Sequence, residues 1–190
     1  EQIEDAATRK RHFMLRRADI FMIIVIAWMT CFSFLRTSYN DTGTYIAHFW
    51  SAESVADFFS RKGFLDWTGN PFSELFRDIV RGATTDYHIY FFFPAVLSSF
   101  AVVKLFKRCS VAPAFSLLIF FSIGTYVTYV AALKQCFAVF FLLLALPYAI
   151  DKKYVRFYLL VFVAILFHTH AFMFAIVPIL MGKPWGKVTW

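Results

Sequence analysis

An all-α, polytopic helical membrane protein is the fold this sequence predicts, on three observations. The 190-residue chain is 60% hydrophobic and 21% aromatic but only 16% charged, far from the roughly 45–50% apolar and about 25% charged balance of soluble domains. Its apolar residues gather in runs of nearly spanning length or more, where a crossing helix needs about 20 residues and fewer if flanking side chains snorkel. Its basic residues stand in short blocks beside those runs. The net charge of +7 therefore reads as membrane orientation and not as a nucleic-acid surface. A lipid bilayer is the expected surrounding, and no nucleic-acid partner is expected.

About five transmembrane helices follow, over residues 20–35, 88–106, 111 to about 124, about 127–150 and 157–181. The boundary between the third and fourth is open, because residues 111–150 are interrupted by a single charge, Lys134. A turn at Gly124-Thr-Tyr-Val-Thr-Tyr129 would leave Lys134 about two helical turns inside the next span, at roughly 1.5 Å per residue. A turn at Lys134-Gln135 would put the lysine at the surface.

Lysine and arginine near the span ends set the orientation. Arg9, Lys10, Arg11, Arg16 and Arg17 precede the first span, Lys104, Lys107 and Arg108 follow the second, and Lys152, Lys153 and Arg156 follow the fourth. All three blocks fall on one side, which is then cytoplasmic, as is the N-terminus. The expected organisation is a basic cytoplasmic tail over residues 1–19, a single transmembrane domain over 20–181 that includes an outer loop over 36–86, and an outer-side segment over 182–190. The chain opens on Glu1 and stops shortly after an apolar run, so a piece of a longer protein is expected, and no cleavage pattern follows the first run. Cys31, Cys109 and Cys136 are odd in number and widely spaced, which suits neither a disulfide framework nor a zinc site. They are expected to pack as small apolar residues.

The outer loop carries its own helices. Ser51 can cap a short one with Val55, Phe58 and Phe59 on one face, ending at Gly63. Asn70 can cap a second, with Pro71 at its first position and Phe72, Leu75, Phe76, Ile79 and Val80 on an apolar stripe that Gly82 ends. Ser73, Glu74, Arg77, Asp78 and Arg81 fall on the opposite face. This amphipathic helix is expected to lie in the outer interface, apolar side down, either packed on the tops of the spans or walling a cavity.

Polar groups inside or beside apolar runs carry the chemistry. Arg36 and Asp41 place a cation and a carboxylate where the first run leaves the membrane, either as a site or as a snorkelling arginine and a helix cap. Lys134 costs on the order of 2.5–3.5 kcal/mol at mid-helix, so there it would face a water-filled cavity or a counter-charge; at a turn it is an interfacial cation. His168 falls about 11 residues into the fifth span, roughly 16 Å from its start. His170, two residues on, would point about 200° away on a helix, which makes a poor metal pair. No metal and no cofactor are expected.

In this order the chain resembles the EpsG-type branch of the Wzy-like polysaccharide polymerases. The resemblance rests on Arg36 after a span, Asp41 followed four residues on by Tyr45, Pro71-Phe72 in the first outer loop, Lys134-Gln135 opening a later span, and Phe167-His-Thr-His-Ala171. It runs from about residue 20 to 180, over about half the usual family length. Two positions depart: the family commonly has Arg where Lys134 stands and often Glu where Asn70 stands.

The resemblance implies a GT-C-like membrane glycosyltransferase of the bacterial cytoplasmic membrane, joining polyprenyl-pyrophosphate-linked oligosaccharides at the outer face, with other polysaccharide-assembly proteins as possible partners. On it, Arg36 and Lys134 bind the pyrophosphate, Gln135 and Tyr45 bind substrate, and Asp41 and His168 are the catalytic pair. Asp41 is the preferred base and His168 the orienting group. A lipid-linked sugar flippase and a membrane acyltransferase are the rival functions.

Overall fold

The computed structural model of the protein describes residues 19–61 and 70–182, and every regular element among them is helical. The basic tail before Asp19, Gly63 and the lysines Lys183 and Lys187 lie outside the described residues. In chain order, α1 spans Asp19–Phe34 and α2, α3 and α4 span Thr42–Trp50, Val55–Arg61 and Pro71–Ala83. Next come α5 over Tyr87–Cys109, α6 over Pro113–Ser122, α7 over Thr125–Ala131 and α8 over Leu133–Ile150. The last are α9 over Tyr154–Phe167, a 3-10 segment over Thr169–Ile176 and α10 over Val177–Gly182. Two of these helices, α5 and α8, are each long and apolar enough to cross a membrane; α1, α6, α9 and the segment after α9 are shorter apolar helices.

The chain bends at both of the turn sites that the sequence left open between α6 and α8. Gly124 adopts the left-handed region at φ 74°, which costs glycine nothing and stops α6. The extended Ala132 then separates α7 from α8. Residues 127–131 thus belong to α7 and not to the helix that ends at Ile150, and Lys134 and Gln135 sit in the first turn of α8. The alternative with Lys134 two turns inside a helix is overturned.

Packing follows small residues. Ala138, Leu142, Ala145 and Ala149 of α8 recur at heptad-like spacing against Phe157, Val161 and Ala164 of α9 and Ala171 beyond it. Alanines along that seam let two apolar helices approach closely, as helix pairs in lipid require. A second cluster joins Met29 of α1, Val102 and Val103 of α5, Leu117 of α6 and Tyr126 of α7, with the Tyr126 hydroxyl donating to the Met29 carbonyl at 2.6 Å. A third joins Tyr45 and Phe49 of α2, Val80 of α4, Tyr90 and Phe91 of α5, and Leu133 of α8.

One end of the bundle is basic and closed by ion pairs. Lys107 in the last turn of α5 pairs with Asp19 at the start of α1. Arg108 and Lys153 pair with Asp151 between α8 and α9 at 2.7 and 3.6 Å. The blocks following the expected second and fourth spans therefore share one end with the start of α1, as the charge pattern requires.

Two caps differ from expectation. Ser51 ends α2, and Ser54 caps α3 instead, accepting from the Asp57 amide at 3.1 Å while its hydroxyl donates to the Asp57 carboxylate at 2.6 Å. Three residues separate the two groups, the spacing of a capping box. The cysteines differ as well: Cys136 is buried as expected, whereas Cys31 and Cys109 are exposed.

Candidate functional site

At the end opposite the ion pairs, α1 stops at Phe34, whose carbonyl accepts a hydrogen bond from His88 Nδ1 at 2.9 Å. A short turn with Asn40 at φ 47° leads into α2. Arg36 leaves this turn inward: its guanidinium lies over the Phe91 ring, 4.8 Å from the centroid, and within electrostatic reach of Cys136, Tyr45, Tyr126 and Asp41. A snorkelling arginine would be exposed, and this one is half-buried.

Asp41 occupies the N-cap position of α2, yet its side chain makes no cap hydrogen bond. The backbone does the work through the Tyr45 amide, which donates to the Asp41 carbonyl at 3.0 Å. The carboxylate is exposed. Tyr45, one turn on, is buried. Burial pushes its phenol up from the usual range, opposed by a hydrogen bond from the backbone of Lys134. Tyr45 thereby ties α2 to the first turn of α8, where Lys134 is half-buried. Gln135, next in the chain, is exposed.

His168 corrects the expectation of a continuous fifth helix. α9 ends at Phe167, His168 is extended at φ −154° and ψ 110°, and the chain resumes as a 3-10 turn. The two imidazoles that a continuous helix would set on opposite sides are neighbours, with ring centroids 5.1 Å apart. His168 is also within electrostatic reach of Lys134, and its Nδ1 is buried without a hydrogen-bond partner among the described residues.

A helix break frees backbone groups that lipid cannot satisfy, so other parts of the protein must do so. The start of α4 supplies them. Ser73 Oγ donates to the Phe167 carbonyl at 2.9 Å, and Asn70 Oδ1 accepts from the Thr169 amide at 3.0 Å and from its hydroxyl at 3.3 Å. Asn70 is therefore not the side-chain cap that the sequence suggests: it sits at the N-cap position of α4 in the left-handed region, with no side-chain cap bond. Aromatic rings close the clasp, Phe167 lying 5.6 Å from Phe72 and 4.8 Å from Phe137 between centroids.

Replacing Asn70 with alanine removes the acceptor that its Oδ1 offers the Thr169 amide, at a cost of about 0.5–1.5 kcal/mol for an ordinary hydrogen bond. Hydrogen exchange at residues 168–170 is expected to accelerate in Asn70→Ala. In Asn70→Asp, which keeps an acceptor oxygen, it should stay close to wild type.

The stripe on α4 also turns differently from expectation. Ser73 and Asp78, on the face expected to meet water, are buried, while Ile79 of the apolar stripe is half exposed. The reason is the polar backbone at the α9 break, together with Arg77, whose Nε and Nη2 both reach Asp78 Oδ1 at 2.7 and 2.6 Å. Arg77 and Glu74 in turn lie within electrostatic reach of His48 of α2, as does Lys134. Burial, then Lys134 and Arg77, holds the His48 imidazole below its usual range.

Arg36 thus lies within electrostatic reach of Asp41 and Tyr45, Tyr45 meets the backbone of Lys134, and Lys134 lies within reach of His168, which brings together the end of α1, the starts of α2 and α8 and the end of α9. Sequence reasoning missed His48, Arg77 and the clasp of Asn70 and Ser73. The polar stripe of α4 was the available signal for Arg77 and Ser73. Among the described residues no group of three or more His, Cys, Asp or Glu side chains is arranged to hold a metal ion. Cations on two sides, a free carboxylate and an imidazole suit a substrate whose leaving group is anionic and whose acceptor is a hydroxyl.

The sequence model of one protein family, described as the EpsG family, matches residues 19–190. No curated protein and no solved structure matches the chain.

Proposed function

This chain belongs to the EpsG family, and from that premise we propose that it is a membrane glycosyltransferase that joins polyprenyl-pyrophosphate-linked oligosaccharide units, lengthening a polysaccharide at the outer face of the bacterial cytoplasmic membrane. What supports this reading is the gathering of Arg36, Asp41, Tyr45, Lys134 and His168 at the end of the bundle away from its basic blocks. On the positive-inside rule that end faces outward.

When the bond between the anomeric carbon and the pyrophosphate breaks, negative charge grows on the leaving phosphate. Arg36 and Lys134 stabilise it, and such contacts count for more where water is largely excluded. Asp41 accepts the proton of the attacking sugar hydroxyl. His168, held at the α9 break by the clasp from α4, orients the acceptor. Tyr45, buried in the core, fixes the start of α8 and does not stack on a sugar, while Gln135 at the rim binds substrate. Lys134 is a point charge where an arginine would present a planar fork, so its contact with phosphate is less directional than that of Arg36.

A flippase for lipid-linked sugars is the second reading, favoured by the helix break at His168, since broken helices at a substrate site are a transporter habit. Cells that make the polymer separate the two. Arg36→Ala, Asp41→Ala and Lys134→Ala should each be inserted and expressed, yet accumulate single lipid-linked repeat units on the outer face. Normal chain length in all three variants would sink the assignment. Accumulation on the inner face would favour the flippase.

A further inference from the structure

We propose that a lateral groove between α1 and α7 holds the polyprenyl chain of the lipid-linked substrate, with Arg36 at the junction between tail and sugar. The proposal rests on the reading of Arg36 and its polar neighbours as a site for lipid pyrophosphates, and adds where the lipid lies.

The groove encloses about 580 Å³, within the roughly 300–1,000 Å³ of small-molecule clefts. Its lower walls are Trp28, Cys31 and Phe32 of α1 and Val127 of α7, and its upper end is Leu35, Arg36 and the polar turn after it. One end is therefore apolar and the other cationic, matching a ligand with a long hydrocarbon chain and a phosphate head. Arg36 belongs to both the groove and the polar site, because its guanidinium is also within electrostatic reach of Asp41 and Tyr45. A pyrophosphate at Arg36 has its prenyl chain directed down α1 and its sugar directed toward Asp41.

The walls are held in place. The Tyr126 hydroxyl fastens α7 to the Met29 carbonyl at 2.6 Å, and Trp28 stacks with Phe32 and meets Phe121 edge-on. Gly124, at φ 74°, gives the bend that lays α7 alongside α1. A second groove of about 360 Å³ on the other flank of α1, lined by Ile23, Ala27, Thr30, Phe92 and Val96 among others, has no charged residue. It offers an anionic head nothing to bind. Charge complementarity selects the α7 flank.

The test uses the full chain in lipid nanodiscs with a polyprenyl pyrophosphate carrying a diazirine in its chain, followed by mapping of the photo-adducts by mass spectrometry. Adducts should concentrate on Trp28, Phe32 and Val127 and be competed by unlabelled polyprenyl pyrophosphate but not by inorganic pyrophosphate. They should fall by about tenfold, some 1.4 kcal/mol, in Arg36→Ala and in the groove-filling Val127→Trp, and remain near wild type in Val96→Trp. Adducts centred on the Val96 flank, or spread evenly over lipid-facing residues, would overturn the proposal. The readout is binding and not elongation, so the two readings fail separately. Loss of polymer in the site variants without adducts on this flank refutes the groove alone. Adducts here with normal polymer in those variants uphold the groove as a lipid-pyrophosphate site and refute the polymerase.

Discussion

Arg36→Ala is expected to lower the rate of chain elongation by about two to three orders of magnitude, the scale of losing one preorganised contact to developing charge. The residue is inward and half-buried on Phe91, with Asp41 and Tyr45 in electrostatic reach, so nothing in solvent replaces it. Its loss should appear in kcat for elongation more than in KM, because negative charge on the phosphate is greatest as the sugar departs. Arg36→Lys should recover only part of the rate, since it restores the charge but not the planar fork. The measurement is the elongation rate of purified variants on a defined lipid-linked unit.

Asp41→Asn is expected to reduce kcat by about 10²–10⁴, the usual contribution of a positioned base, while KM stays near its wild-type value. The side chain is isosteric, and α2 does not depend on it, because the cap is made by the backbone and not by the carboxylate. A large loss of rate in a protein of unchanged melting temperature thus separates chemistry from folding. His168→Ala provides the comparison. If Asp41 is the base and His168 orients the acceptor, His168→Ala should raise KM for the acceptor and cost less in kcat than Asp41→Asn. The reverse ranking would give the base to His168.

Much of this arrangement can be read in the chain, and what cannot has physical reasons. The bounds of α4 and α5 follow from Pro71 at a first helical position and from an apolar run with basic residues at its end, signals carried by adjacent residues. The placing of Arg36, Asp41, Tyr45 and Lys134 toward one end is what the charge pattern leads one to expect. The break at His168 does not, because Phe167-His-Thr-His-Ala171 contains neither glycine nor proline. It is satisfied by Asn70 and Ser73, 99 and 94 residues away from their partners. Periodicity sees only neighbours along the chain. For the same reason the polar stripe of α4 reads as a wetted face, although Ser73 is buried on the Phe167 carbonyl, a group the stripe does not contain. Gly124 announces its own turn, whereas the bend at Ala132 has no such mark, and the structure decides between the two expected placings of Lys134 by setting it in the first turn of α8.

The most direct test of the central claim, that these residues form one polymerising site, is incubation of the purified wild-type chain with polyprenyl-pyrophosphate-linked repeat units and separation of the products by size. A ladder of lipid-linked oligomers, absent with Arg36→Ala and Lys134→Ala, is the predicted result. Single units translocated or acylated without any ladder, or a ladder unchanged in both variants, would contradict it.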